Sequence, residues 1–185
     1  MLSGRRLDLL EPSPLDVEIG DIAHGLARVA RWNGQTRGAH AFSVAQHSVL
    51  VERLVAELSP RLGSEARLMA LLHDAPEYVV GDLISPFKAA VGINYKALEE
   101  RLQAAVHLRF GLPAIIPTTL KTLFKKADHI SAYCEATQLA GFAEPEARRL
   151  FGKPPAGLKM PRLVPLDTGD AQAQFLTRFH RLYAQ

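Results

Sequence analysis

An all-α, single-domain helical bundle is the fold class that this sequence predicts, on three observations. Apolar residues recur at helical spacing through most of the chain, from Ile22, Leu26, Val29 and Ala30 to Phe175, Leu176, Phe179, Leu182 and Tyr183. No run alternates apolar and polar residues as a strand would, and no repeat or low-complexity segment interrupts the pattern. A chain of 185 residues, 48% of them hydrophobic, can bury roughly 70% of its unfolded surface, so one domain spanning 1–185 suffices.

Residues 1–20 hold Pro12 and Pro14 without sustained periodicity and read as an irregular lead-in. A short helix follows over about 21–30. Asn33, Gly34 and Gly38 then break the chain, and the polar loop 31–42 is long enough to carry function. Ser43 is placed to cap a helix whose inward stripe is Val44, His47, Val51, Leu54, Val55 and Leu58, ended by Ser59 and Pro60. Ser64 caps the next helix, which runs through Leu68, Met69, Leu71 and Leu72. Pro76 opposes the carbonyl of Leu72 and disfavours helical geometry at Ala75, so a kink or restart is expected there.

Gly81, Asp82, Ser85 and Pro86 mark a turn-rich loop. Asn94 caps a helix bearing Leu98, Leu102, Ala105, Val106 and Arg109, stopped by Gly111 and Pro113. A long helix over about 118–140 carries Leu120, Leu123, Phe124, Ala127, Ile130, Cys134 and Leu139, with Asp128 amid that stripe. Residues 141–168 contain Pro145, Pro154, Pro155, Pro161 and Pro165 and read as an irregular proline-rich segment with a helical turn over 145–151. The chain closes on a helix over about 170–183.

Composition narrows the function classes. The single Cys134 cannot close an intramolecular disulfide and no cysteine pattern suggests zinc, which points to a reducing, cytoplasmic setting and to N and O ligands for any metal. The start from Met1 to Arg6 lacks the apolar core of a signal peptide, and no apolar run nears the ~20 residues of a membrane span. A soluble protein without membrane contact is therefore expected. Formal net charge is +3 and the pI about 9.2, yet only Arg5-Arg6, Lys125-Lys126 and Arg148-Arg149 are adjacent basic pairs. Such scatter argues against a polymeric nucleic acid and suits a small anionic substrate.

The chemistry concentrates between Met69 and Pro86, where His73, Asp74 and Glu77 stand among Leu71, Leu72, Val79 and Val80. At about 100° per residue, Glu77 falls about 40° from His73 and about 60° from Asp74 on one helix face. Burying these groups unpaired would cost several kcal/mol, on the order of the usual charge-burial penalty. A divalent cation is the natural compensation. His47 and Asp128 share the setting, each polar within an inward-facing stripe, so distant helices would converge on one site as metal sites in bundles do. His47, His73, Asp74 and Asp128 are thus the candidate ligands. Taken singly, a core histidine is often satisfied by a local hydrogen bond, and Asp128 could cap a turn or pair with Lys125. The adjacent His73-Asp74 has no obvious charged partner nearby. His24, His40, His107, His129 and His180 lack this context and read as surface or core histidines.

The pattern His47…His73-Asp74…Asp128 resembles the HD-domain superfamily of metal-dependent phosphohydrolases, whose fold is an all-helical bundle. Its surroundings are similar to the bacterial 5′-deoxynucleotidase subgroup: Arg31-Trp32, the run from Ser43 to Ser48, His73-Asp74-Ala75-Pro76-Glu77 with Gly81-Asp82 after it, and Lys126-Ala127-Asp128. The motifs cover about residues 20–140. This resemblance implies that His47, His73, Asp74 and Asp128 hold one divalent ion, with Mn, Co, Ni, Fe, Mg and Zn all eligible. It further implies that Glu77 assists the attacking water, Arg31 contacts phosphate, Trp32 packs near the sugar and favours deoxyribose, and Asp82 contacts a sugar hydroxyl. Ordinary alternatives exist for the last three: a solvated loop cation, a core anchor beneath that loop, and a turn-former after Gly81. Pro76, in place of a small residue, and the Gly-containing loop 33–40 depart from the subgroup and bear on sugar preference.

The expected activity is release of phosphate from a nucleotide, foremost a 5′-deoxynucleoside monophosphate, by a homodimer of the kind the resemblance implies. One alternative is hydrolysis of a pyrophosphorylated guanosine alarmone, whose branch also carries an acid three positions after the HD aspartate but follows it with a second acid, where this chain has Tyr78. Another is a non-catalytic domain that binds a nucleotide or a partner protein, against which the complete ligand set and Glu77 argue.

Overall fold

The computed structural model describes residues 1–83 and 95–184. A 3₁₀ turn at Pro14–Asp16 precedes α1 (Ile19–Leu26), and a second, Arg31–Gly34, precedes α2 (Val44–Leu58), α3 (Ser64–Leu71) and α4 (Glu77–Val80). Then come α5 (Tyr95–Arg109), α6 (Thr118–Gln138), α7 (Glu144–Phe151) and α8 (Thr168–Tyr183). No strand occurs among the described residues beyond an isolated antiparallel bridge between Ala30 and Ser43, so the all-α expectation holds. No described helix is long and apolar enough to cross a membrane.

The central element is α2. Every residue from Val44 to Glu52 is buried, because α3, α6 and α8 all pack against this one helix. Its Val51, Leu54 and Val55 are at most 1% exposed, and each such side chain contributes about 1.5–3 kcal/mol on burial. Ser43 caps it as expected, its Oγ accepting from the Gln46 amide at 3.3 Å.

Local hydrogen bonding explains where the elements depart from their predicted bounds. Helix α1 ends at Leu26 rather than near Ala30, because the backbone leaving it pairs with the approach to α2: Arg31 N donates to Phe42 O and Val44 N to Val29 O. Ser64 is not a cap; it is the first residue of α3, after Gly63. The restart expected at Pro76 is present, but the break begins earlier, at Leu72. From there the amides of Ala75, Glu77 and Tyr78 bond three residues back, a tighter winding than the α-helix. The expected cap Asn94 and the turn residues Ser85 and Pro86 lie outside the described residues.

Two close fits bear on the site. A Cβ on Gly25 of α1 would fall 2.8 Å from both the Cβ and the carbonyl oxygen of Tyr78, so glycine is what lets α1 lie against α4, which carries Glu77. The segment after α7 is tied down by two glutamines. Gln46 donates to Val164 O at 2.9 Å and accepts from Leu166 N at 3.0 Å, while Gln138 does the same for Pro161 O and Leu163 N at 3.0 and 2.9 Å. Each amide side chain serves both backbone groups that a neighbouring strand would have served.

Glu52 of α2 is fully buried and accepts from Arg67 of α3 and Arg178 of α8, joining three helices by charge. Removing it leaves two cations facing an apolar hole. We expect Glu52→Ala to cost on the order of 3 kcal/mol, the low end for a broken buried pair because Arg67 is 28% exposed. Urea unfolding checks this; a loss below about 1 kcal/mol would mean that solvent screens the cations. His107, read as a surface or core histidine, is in the core, its Nδ1 donating to Pro113 O at 2.8 Å.

Candidate metal centre

His47 and His73 come together at the base of a cleft, their ring centroids 5.3 Å apart. His47 projects from the second turn of α2 and is fully buried, and its Nδ1 donates to Glu135 Oε1 at 2.7 Å. The His73 ring folds back from the tight turn after α3, so that its Nδ1 donates to Ala70 O at 2.9 Å. Both rings are thereby oriented through Nδ1, which leaves Nε2 to face the carboxylates. Asp74 Oδ2 lies 3.3 Å from His47 Nε2 and 3.1 Å from His73 Nε2, and Asp128 Oδ1 lies 3.3 Å from His47 Nε2.

Neither Nε2 makes a hydrogen bond among the described residues, although both are buried. Ligand atoms of His47, His73 and Asp128 lie within 4.8 Å of one another. Two orphaned imidazole nitrogens facing two carboxylates form a donor set that fits a divalent cation of the Mn to Zn series. The charges respond to this crowding. Burial and the Arg31 guanidinium push His47 down, but Glu135, Asp128 and Asp74 outweigh them and hold its pKa well above the usual imidazole value. Burial raises Asp74 and Asp128, yet His73 and His47 around the first, and His47 beside the second, keep both below the ordinary carboxylate range.

Glu77, at the start of α4, is buried at the side of the same cleft, and its Oε2 has no hydrogen-bond partner among the described residues. Burial, followed by the charges of Asp74 and Asp82, pushes its carboxyl up to about 9. Arg31 donates through Nη1 to Asp82 Oδ2 at 3.1 Å and through Nε to Glu135 Oε2 at 3.2 Å. Trp32 donates from Nε1 to the same Glu135 oxygen at 2.8 Å and packs its ring on Phe142 and Phe151, with centroids 5.5 and 5.9 Å away. Six of the eight residues singled out in the sequence therefore line one cleft of about 430 Å³, and His47 and His73 lie behind it against Asp74 and Asp128.

The backbone around Trp32 is strained. Trp32 (φ 56°, ψ 31°) and Asn33 (φ 51°, ψ 31°) both occupy the left-handed region, a cost of roughly 1–3 kcal/mol per residue that surrounding contacts must offset. The Glu135 bond and the two phenylalanine rings supply those contacts.

Glu135 is the residue that sequence reasoning missed. It is fully buried and accepts from His47, Ser131, Arg31 and Trp32, which joins the imidazole end of the cleft to the loop end. Burial would raise its carboxyl, but His47 and Arg31 bring it down to about 2. A signal for it exists: Glu135 follows Asp128 by seven residues, two helical turns, on the same face and between the apolar Cys134 and Ala136. We expect Glu135→Gln to weaken divalent-ion affinity about 10–100-fold, as loss of a carboxylate behind a ligating histidine does. Calorimetric titration with Mn checks this, and an unchanged affinity would reduce Glu135 to a packing role.

An all-helical bundle with this donor set at its centre defines a class of metal-dependent hydrolase. The chain belongs to the HD-domain family: the model of the HD domain matches residues 44–133, which contain His47, His73, Asp74 and Asp128. An uncharacterized protein of Rhodobacter capsulatus is 58% identical over 183 residues, covering 98% of this chain and 93% of that protein. The uncharacterized protein YfdR of Escherichia coli is 33% identical over 167 residues, 90% of this chain and 85% of its own length. A Priestia megaterium protein named 4′-phosphooxetanocin A phosphatase is 28% identical over 137 residues, 63% of this chain and 70% of that one.

Proposed function

We propose that the protein hydrolyses the phosphomonoester of a nucleotide, foremost a 5′-deoxynucleoside monophosphate, to nucleoside and inorganic phosphate. The observation that carries this reading is the single cleft in which the His–carboxylate set, Glu77, the Arg31 guanidinium and the Trp32 indole meet. Similarity to a protein named as a phosphatase supports the reaction class.

In this reading His47, His73, Asp74 and Asp128 would hold one divalent ion, which supplies Lewis acidity toward water and a phosphoryl oxygen. Arg31, fixed by Asp82 and Glu135, presents its charge to the phosphate and offsets negative charge that develops there. Glu77 would take the proton of the attacking water as its carboxylate, the form that a bound cation favours against the burial and the Asp74 and Asp82 charges that push its carboxyl up, and would then hand that proton onward. Asp82 has Oδ2 engaged by Arg31, so Oδ1 is the atom to accept from a sugar hydroxyl, and Trp32 forms a rigid wall beside the sugar.

The alarmone reading is less well supported. Tyr78, which stands where that branch has its second acid, packs against α1 at Gly25 and does not line the cleft. The test is to strip divalent ions, restore Mn, Co, Mg, Zn or Ni separately, and compare phosphate release from deoxyribo- and ribonucleoside monophosphates, an aryl phosphate and the alarmone. Preference for deoxyribonucleotides is expected. Equal rates on the two sugars would remove the roles of Trp32 and Asp82, and stoichiometric metal without phosphate release would favour the non-catalytic binder. The same resemblance extends to a homodimer, which light scattering on the purified protein tests.

A further inference from the structure

Besides Leu83 and His129, the part of the cleft that the proposed chemistry leaves unused is its wall of Leu150, Phe151 and Ala132 beside Trp32. The first two are the last residues of α7, within the helical turn expected over 145–151. Leu150 is 51% exposed, an apolar side chain at the mouth of an otherwise charged cleft. Phe151 meets the Trp32 ring edge-on, and Phe142 packs against both. Trp32 is fixed from behind by its bond to Glu135 and held in a left-handed backbone conformation, so the chain sustains strain to keep this indole where it is. Two helices thus bring a firm apolar surface to a cleft that also contains a guanidinium and a carboxylate–imidazole cluster.

A ligand that satisfies such a cleft carries an anion on one part and a flat, weakly polar group on another. We propose that Leu150 and Phe151, with Trp32, form the base-binding wall of the site, against which the nucleobase of a nucleoside monophosphate stacks. This rests on the function proposed above and names the part of the substrate that this wall recognises. The cleft volume of about 430 Å³ lies within the range of pockets that enclose ligands of this size. Trp32 Nε1 is engaged by Glu135, and Leu150, Phe151 and Ala132 have no polar side-chain atom. The wall itself therefore stacks on a base without reading its hydrogen-bonding edge, and any preference among the natural bases falls to polar lining groups outside it, such as His129. Stacking tolerates any base, since each has a π-face.

Trp32 is the only tryptophan of the chain, so its emission reports ligands entering the cleft. The experiment titrates the full chain, without added divalent ion so that nothing is consumed, with thymidine 5′-monophosphate and with 2-deoxyribose 5-phosphate, which lacks the base. The nucleotide is expected to bind roughly tenfold or more tightly, the size of a base-stacking contribution. That ratio should collapse toward one in Leu150→Asp, whose exposed position spares the fold, and fall in Phe151→Leu, which also loosens the Trp32 packing. Equal binding of the two ligands by the unsubstituted chain, or an unchanged ratio in Leu150→Asp, overturns the wall. Phosphate release with Mn separates the two readings. A chain that shows the ratio but hydrolyses neither ligand keeps the wall and loses the proposed reaction, whereas equal hydrolysis with equal binding keeps the reaction and loses the wall.

Discussion

Replacing His73 with alanine should abolish phosphate release and remove the stoichiometric divalent ion. The imidazole is held by its Nδ1 bond to Ala70 O, and its buried Nε2 faces Asp74 Oδ2 at 3.1 Å, so the ring is committed to one direction before any ligand arrives. Alanine leaves His47 to serve two carboxylates alone, and two aspartates in a buried cleft with one imidazole between them repel each other. Metal content by elemental analysis and phosphate release are the paired measurements, with helical circular dichroism showing that the bundle persists. Retention of both metal and activity would sink the proposed centre.

Glu77→Gln should act differently. The glutamine side chain has nearly the same shape but cannot take a proton, so metal content should stay and turnover should fall about 10²–10⁴-fold, the usual worth of an acid–base group. Burial and the neighbouring Asp74 and Asp82 push the carboxyl up to about 9, which gives it a strong affinity for a proton, and the charge of a bound cation is what would keep it ionised before the water is attacked. A drop of less than tenfold would mean that another group moves the proton. The two substitutions together separate holding the ion from moving the proton.

Much of this site was legible because its residues violate their local pattern. His47 and Asp128 interrupt apolar stripes, and the His73-Asp74-Glu77 run places charge where the chain is otherwise hydrophobic; the structure brings all of them to one cleft. Glu135 violates the same rule, but its partners Arg31 and Trp32 lie on a loop whose path no periodicity specifies. The left-handed conformation of Trp32 was equally hidden: Asn33 is a residue type that tolerates it, but nothing in a tryptophan favours it and tertiary contacts impose it. Phe151 ends a short helix in a proline-rich stretch, and only its packing on Trp32 shows which way it faces. Ideal-helix angles placed Glu77 beside His73 through a continuous helix, whereas the chain breaks at Leu72 and reaches the same neighbourhood by a tighter turn.

The hub at Glu135 also sets an order of events. It is 88 positions from His47, 103 from Trp32 and 104 from Arg31, so its bonds close long loops that the site requires. Single helices can form within about a microsecond, but pairing across such separations waits for loop closure and docking. During refolding, α2 and α6 would acquire their helical signal before His47 is oriented and before the Trp32 turn is forced into its left-handed shape. A divalent ion supplied to refolding chains would therefore report the completed bundle, and its capture should lag the appearance of helix.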